Sequence, residues 1–311
     1  MVINSQKVAL LCPGQASQKV GMCNDLYNQG GFAKEHIDIA CDILGYDIKS
    51  IMFDGPKEIL SETIHTQPAI FIASFIVGNL LINNGLKPRC IAGHSVGEVS
   101  AYTLAKSLDF ENGLKLVQFR AKSMHKAGLD RQGSMAAVIG IDEKILEDIC
   151  LNYSNGQACV ANYNSPAQAV ISGDSSAIED ITPKILSAGA LKVIKLNVSG
   201  AFHSPLMNSA KEKLNEFIKN VKFYDPIFPV YSNTTSFPID NKNDIPQSLV
   251  KQLISPVLWY KSVHEMISNG ITSGIEIGPG KVLQGLSKRI DSSLNMYGAE
   301  THQDILNLGH V

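Results

Sequence analysis

The stretch Pro88-Arg89-Cys90-Ile91-Ala92-Gly93-His94-Ser95-Val96-Gly97-Glu98-Val99-Ser100-Ala101-Tyr102-Thr103-Leu104-Ala105 decides the reading of this chain. Its first residues read as a short buried strand and its last eight as a helix, joined through G-x-S-x-G. A serine on such a strand-to-helix turn stands clear of the backbone. The N–H of the next residue is then placed to hold an oxyanion. The glycines suit a strained turn with no room for Cβ. The same pattern also describes a glycine-rich turn whose serine only caps the helix, so more is needed than the pentapeptide.

Outward from the turn, strands and helices alternate. Residues 8–12 and 89–93 read as strands, and 68–83, 96–106 and 111–127 as helices, with further helices through 20–45. That rhythm predicts an α/β fold with a parallel sheet. A different order begins near Gly133. Strand 134–139, helix 142–150, strands 158–162 and 168–172, helix 175–187 and strand 191–198 make βαββαβ, the ferredoxin-like pattern. The first rhythm then resumes with helix 205–219, strand 228–232, helix 259–269, strand 274–277 and helix 281–290. The expected organisation is a large domain of residues 1–130 and 199–311 with a small ferredoxin-like domain, 131–198, inserted into it. From about Glu300 the chain reads as a weak helix or tail.

Composition narrows the function. The 311 residues are 44% apolar and 18% charged, ordinary for a soluble enzyme with a sizeable core. A formal charge of −2 carries no polyelectrolyte signature and argues against nucleic acid. The six cysteines are scattered without C-x-x-C, which reads as reduced thiols of a cytoplasmic protein. No cleavable signal pattern precedes the strand Val8-Ala9-Leu10-Leu11. The longest apolar stretch, Pro68 to Ile82, is short for a bilayer and reads as a buried helix ended at Asn83-Asn84-Gly85.

A serine hydroxyl needs a base within hydrogen-bond reach. Of eight histidines, His203 is the informative one, at a strand end just before a helix in Ser199-Gly200-Ala201-Phe202-His203-Ser204-Pro205. Ligands of open α/β sheets gather at such strand ends. Standing alone, a loop histidine is more often a capping or surface residue.

Taken together, Pro13-Gly14-Gln15-Ala16-Ser17-Gln18, Thr66-Gln67-Pro68-Ala69, Gly93-His94-Ser95-Val96-Gly97-Glu98, Gln118-Phe119-Arg120, Asn162-Tyr163-Asn164-Ser165-Pro166, Ala201-Phe202-His203-Ser204-Pro205, Gln252-Leu253-Ile254-Ser255-Pro256-Val257-Leu258-Trp259 and Glu276-Ile277-Gly278-Pro279-Gly280-Lys281 are similar to the motifs of malonyl-CoA:acyl carrier protein transacylases. They occur in that family's order across residues 8 to about 290. The resemblance implies an α/β-hydrolase-like large domain with a ferredoxin-like insert. It implies Ser95 as the acyl-carrying nucleophile, His203 as general base and then acid, and backbone N–H groups of Gln15 and Val96 as the oxyanion hole. It implies that Arg120 grips the free carboxylate of malonyl, and that the main-chain carbonyl of Gln252 orients His203 where hydrolases use a carboxylate. That would leave a milder base, adequate for thioesters. His94 and Asn162 match positions lining the site. Without the resemblance, Gln15 reads as a plain turn residue and Arg120 as half of a structural ion pair.

The implied reaction is ping-pong transfer of malonyl from CoA to the phosphopantetheine thiol of an acyl carrier protein, for fatty acid biosynthesis. No cofactor or metal is expected, because the CoA thioester is a substrate and phosphopantetheine arrives on the carrier. The expected enzyme is a cytoplasmic monomer with no membrane or nucleic-acid partner. The alternatives are a discrete malonyl acyltransferase of a polyketide synthase and a serine thioesterase or hydrolase. Lys184, Lys192, Lys195, Lys211, Lys213 and Lys222 offer either a basic rim for an acidic carrier or an ordinary solvated face. Three residues depart from the family's habit: Ala16 where glycine is common, and Cys12 and Val99 where aromatics are frequent. Phe202 is the bulky form that resembles malonyl selection, leaving little space for a branched α-carbon.

Overall fold

The computed structural model describes residues 7–308. The larger of two sheets holds β1 (Val8–Cys12), β2 (Cys90–Gly93), β7 (Val230–Tyr231), β8 (Pro238–Ile239), β9 (Ser273–Ile277) and β10 (Asn295–Ala299), in the order β10-β9-β1-β2-β7-β8. All neighbours are parallel except the β7–β8 edge pair. The smaller sheet holds β3 (Gly133–Ile139), β4 (Ala158–Ser165), β5 (Gln168–Asp174) and β6 (Lys192–Lys195), antiparallel in the order β4-β5-β3-β6. That is the ferredoxin-like arrangement, so the α/β class with two distinct sheets is as the sequence predicts.

The helices of the first part are α1 (Asn24–Asn28), α2 (Gly31–Leu44), α3 (Ile48–Phe53), α4 (Lys57–Ser61), α5 (Thr63–Asn83), α6 (Gly97–Leu104) and α7 (Phe110–Asp130). Helices α8 (Glu143–Leu151) and α9 (Ser175–Ser187) pack on the small sheet. The chain then runs through α10 (Asn208–Ile218), α11 (Ile245–Gln252), α12 (Trp259–Ser268), α13 (Val282–Ile290) and α14 (His302–Leu308).

Strand β1 shows why the large sheet is central. Side chains alternate between its two faces. Val8, Leu10 and Cys12 enter the core formed with α2, α5, α6 and α7, while Ala9 and Leu11 enter the one formed with α12 and α13. A strand buried on both faces is apolar at every position, and all five of its residues are buried. The small sheet is tied to the large domain where Tyr163 N–H donates to the Val257 carbonyl at 2.9 Å and Val257 N–H to the Ala161 carbonyl at 2.9 Å.

Helix α5 starts five residues before the expected Pro68. Pro68 has no N–H, so the carbonyl of Ile64 one turn earlier loses its helical donor. The Tyr46 hydroxyl donates to it instead, at 3.3 Å. The helix is apolar on every side because it is a core element; 83% of its most apolar window is buried. Five elements have no counterpart in the sequence reading: helices α3, α4 and α11 and the edge strands β8 and β10. Edge strand β10 lacks β-branched residues and contains Gly298, which hides its period. Helix α11 was foreshadowed only by Pro246 in its first turn and by Ile245, Leu249, Val250 and Leu253 on one buried side. Beyond Glu300, where a weak helix or tail was expected, α14 forms a helix over residues 302–308, and residues 309–311 lie outside the described part.

Removing the Tyr46 hydroxyl should therefore cost more than its exposure suggests. Tyr46→Phe is expected to lower unfolding free energy by about 1 kcal/mol, because the Ile64 carbonyl is left unsatisfied. Urea denaturation measures this, and an unchanged midpoint would mean that water takes over the bond.

Candidate active site

Strands β1 and β2 are adjacent and parallel, and their carboxyl ends deliver Pro13-Gly14-Gln15 and His94-Ser95-Val96 to one place. The turns are pressed together. His94 N–H donates to the Cys12 carbonyl at 3.0 Å. A Cβ on Gly14 would lie 2.7 Å from the His94 carbonyl oxygen. A Cβ on Gly97 would lie 2.3 Å from the Cys12 carbonyl oxygen, and one on Gly93 would lie 2.0 Å from Gly97 itself. Glycine is required at these three positions by backbone approach alone.

Ser95 has φ +54°, a left-handed conformation that costs a non-glycine residue about 1–2 kcal/mol. Asn233, just past β7, holds it there. Its Oδ1 accepts the Ser95 N–H at 2.7 Å and its Nδ2 donates to the Gly93 carbonyl at 2.6 Å. With the Ser95 N–H so engaged, the N–H groups of Val96 and Gln15 are left without a hydrogen-bond partner among the described residues. Two free donors on abutting turns beside a serine are the makings of an oxyanion hole.

His203 also has a positive φ, +56°. Its Nε2 lies 2.8 Å from Ser95 Oγ, and its Nδ1 lies 2.8 Å from the Gln252 carbonyl oxygen. A carbonyl can only accept, so Nδ1 carries the proton and Nε2 is free to take one from serine. Burial first, and then the charge of Arg120, push the His203 pKa down to about 3. The imidazole is thus neutral well below pH 7.

Arg120, on α7, is 2% exposed. Its Nη1 donates to Gln67 Oε1 at 2.6 Å, and its Nη2 to Gln252 Oε1 at 2.9 Å and to Ser95 Oγ at 3.1 Å. Nε has no partner. Every acceptor is a neutral oxygen, and none of the ion pairs among the described residues includes Arg120. Burial lowers its pKa to about 10, against the field of Glu98, so the cation persists at neutral pH. Glu98 is fully buried nearby, and burial raises its pKa to about 7 despite hydrogen bonds from Gln252, Asn233 and Ser248.

Ser95, His203, Arg120, Gln252, Gln15 and Val96 therefore converge. Gln252 does more than the carbonyl role expected of it. Its side-chain amide also joins Arg120 to Glu98 and donates to the Ser95 carbonyl at 3.0 Å. The His94 ring is held by Asn164, whose Oδ1 lies 2.9 Å from its Nε2. Asn162 bridges to Val257. The sequence reading gave no part to Gln67, Asn233 or Asn164. Gln67 and Asn164 lie inside quoted motifs, whereas Asn233 carries no local signal. Cys12 and Val99 are buried in the core. Ala16 stands exposed at φ +86°, which is where glycine would be relaxed. Glu276 accepts the N–H groups of Leu283 and Gln284 at 3.0 Å each, so its motif caps α13. Among the described residues no group of three or more His, Cys, Asp or Glu is placed to hold a metal ion.

Residues 9–301 match the family described as acyl transferase domain. The chain is 39% identical over 301 residues to a malonyl CoA-acyl carrier protein transacylase of Staphylococcus aureus strain MRSA252, covering 96% of this chain and 97% of that one. A crystal structure of an acyl carrier protein S-malonyltransferase from Vibrio cholerae superposes with TM-score 0.93 at 35% identity, over 97% of this chain and 99% of the other. A malonyl-transacylase in complex with a type II PKS acyl-carrier protein superposes with TM-score 0.93 at 34% identity, over 98% and 99%.

The depressed basicity of His203 has a direct consequence. Labelling of Ser95 by an uncharged fluorophosphonate should keep its rate as pH falls through 6.5, with the acid limb well below that value, because Arg120, His94 and burial all oppose protonation. A limb centred near 6.5 would show an ordinary imidazole. Separately, Ala16→Gly should raise unfolding free energy by about 1 kcal/mol by relieving the left-handed turn. Denaturant melts showing no gain would place Ala16 in a different conformation.

Proposed function

The chain belongs to the acyl transferase domain family, and on that premise we propose that it is a malonyl-CoA:acyl carrier protein S-malonyltransferase of fatty acid biosynthesis. The observation that carries this reading is Arg120, a buried cation with only neutral hydrogen-bond partners, 3.1 Å from the nucleophile. A malonyl thioester has one methylene between the carbonyl under attack and a free carboxylate. With the carbonyl at Ser95, the carboxylate falls beside the guanidinium, which binds carboxylates through paired hydrogen bonds.

The cycle uses the chain's own groups. His203 Nε2 takes the Ser95 Oγ proton as Oγ adds to the thioester carbonyl. The N–H groups of Gln15 and Val96 hold the oxyanion. The C–S bond then breaks, the protonated imidazole returns its proton to the departing CoA sulfur, and malonyl remains on Ser95. The phosphopantetheine thiol of the carrier gives its proton to His203 and attacks the ester. Collapse returns the proton to Ser95 and releases malonyl-carrier. Bringing malonate to Arg120 also favours the imidazolium, because the carboxylate offsets the charge that depresses the His203 pKa.

The reading includes a monomeric cytoplasmic enzyme that requires no cofactor and has neither nucleic acid nor a membrane as partner. Among the lysines weighed for a carrier rim, Lys195 pairs with Glu179 and Lys222 lies over the Tyr224 ring, which favours an ordinary solvated face at those two. A polyketide pathway is the second reading, favoured by the solved complex with a type II PKS carrier. Its chemistry is identical, and the carrier accepted in transfer assays separates the two. A thioesterase is opposed by the carbonyl-oriented base and by a cation that would lack a purpose.

Intact-mass spectrometry with malonyl-CoA should find malonyl on Ser95 and see it leave when holo carrier is added. Arg120→Ala should lose about 2–5 kcal/mol of malonyl recognition, the usual cost of removing one partner of a desolvated charge pair. Acetyl transfer should fall far less or rise. Equal loss in kcat/KM for both acyl-CoAs would make Arg120 structural and remove the support for malonyl.

A further inference from the structure

Glu98 is a buried acidic group that the cycle above leaves unused. It lies on the first turn of α6, three residues after Ser95, and has no exposed surface. Its Oε2 accepts the Gln252 amide in a short hydrogen bond and the Asn233 N–H at 3.3 Å. Its Oε1 faces Ser248 Oγ at 3.4 Å. The Gln252 amide thus lies between a buried carboxyl group and a guanidinium, with Nε2 on Glu98 and on the Ser95 carbonyl, and Oε1 on Arg120. It fits only this way round. Reversed, its NH₂ would face a guanidinium that only donates, and its oxygen would face a carboxyl oxygen and a carbonyl.

We propose that Glu98 is a positioning residue for acyl-group selection: through the Gln252 amide it anchors Arg120 beside Ser95, while its own carboxyl group stays out of the guanidinium's reach. The inference rests on the reading that Arg120 receives the substrate carboxylate, and it explains why that receptor meets only neutral oxygens of the chain. A carboxylate in direct contact would neutralise Arg120, and malonate would have to displace it in a buried site. One amide of separation keeps the stabilising field and leaves the binding hydrogen bonds free. The Gln252 and Asn233 donors reach Oε2, so the amide is held the same way whether or not Oε1 carries a proton.

The test compares kcat/KM for malonyl-CoA and acetyl-CoA across variants of the full chain. The exchange Glu98→Gln/Gln252→Glu keeps composition, volume and net charge but puts a carboxylate against Arg120. It should lower the malonyl-to-acetyl ratio about tenfold or more, mainly through KM for malonyl-CoA. An unchanged ratio would overturn the proposal. Glu98→Leu removes the acceptor and should lower the ratio too, whereas Glu98→Gln offers an amide oxygen in the same place and should largely keep it. A Leu variant that keeps the ratio, or a Gln variant that loses as much as Leu, would also overturn it. Should Glu98→Leu fail to fold, the exchange still decides. A wild-type enzyme with no preference for malonyl would instead sink the substrate assignment, which is a separate outcome.

Discussion

A positive charge buried without a negative partner in contact is the constraint on which the rest of the site depends. Arg120 is 2% exposed, and its hydrogen bonds go to two amide oxygens and one hydroxyl. Such a cation is costly unless every polar neighbour turns an oxygen toward it. Gln67 does so from α5 and Gln252 from α11. The charge then acts on its surroundings. Burial first, and this charge second, keep His203 neutral, and the guanidinium lies within hydrogen-bond distance of Ser95 Oγ. Arg120, His203 and Ser95 form one electrostatic unit rather than three separate features.

The nucleophile's geometry depends on a second constraint, backbone crowding. Strands β1 and β2 end so close together that Gly14, Gly93 and Gly97 have no room for a side chain. Ser95 and His203 both occupy left-handed backbone. That strain persists because neighbouring structure over-determines it. Asn233 grips the elbow from β7, and the Gln252 carbonyl grips the His203 ring from the end of α11. The elbow also releases donors selectively. Asn233 takes the Ser95 N–H, so the Val96 N–H is the one left facing the site. Ala16, beside Gln15, carries similar strain without an evident role in the chemistry.

The fold brings these groups together from five separate places: the end of β1, the β2–α6 turn, α7, the loop after β6, and α11. The double-sided core around β1 makes the sheet a rigid platform. The small sheet is joined to it through backbone bonds at Val257, directly after the Gln252–Pro256 segment that carries the His203 acceptor.

Much was legible in the sequence because it is local. The alternation of strand and helix, the switch to βαββαβ near Gly133 and the G-x-S-x-G turn are statements about neighbours in the chain. They gave the α/β class and pointed to Ser95. The family motifs added His203, Arg120, Gln15, Val96 and Gln252 one by one. The sequence could not supply the relations among them. That Gln252 holds Arg120 with its side chain while orienting His203 with its backbone depends on α11, a helix whose periodicity is short. That Asn233 sets the Ser95 conformation, or that Asn164 reaches His94, depends on side-chain direction across strands far apart in sequence. Glu98 carries the same lesson. In sequence it is one residue of a motif, and only its burial against Gln252 gives it a charge to balance. Local pattern is written in short-range sterics and burial, whereas hydrogen-bond partnership inside a core is settled by which surfaces the tertiary fold presses together.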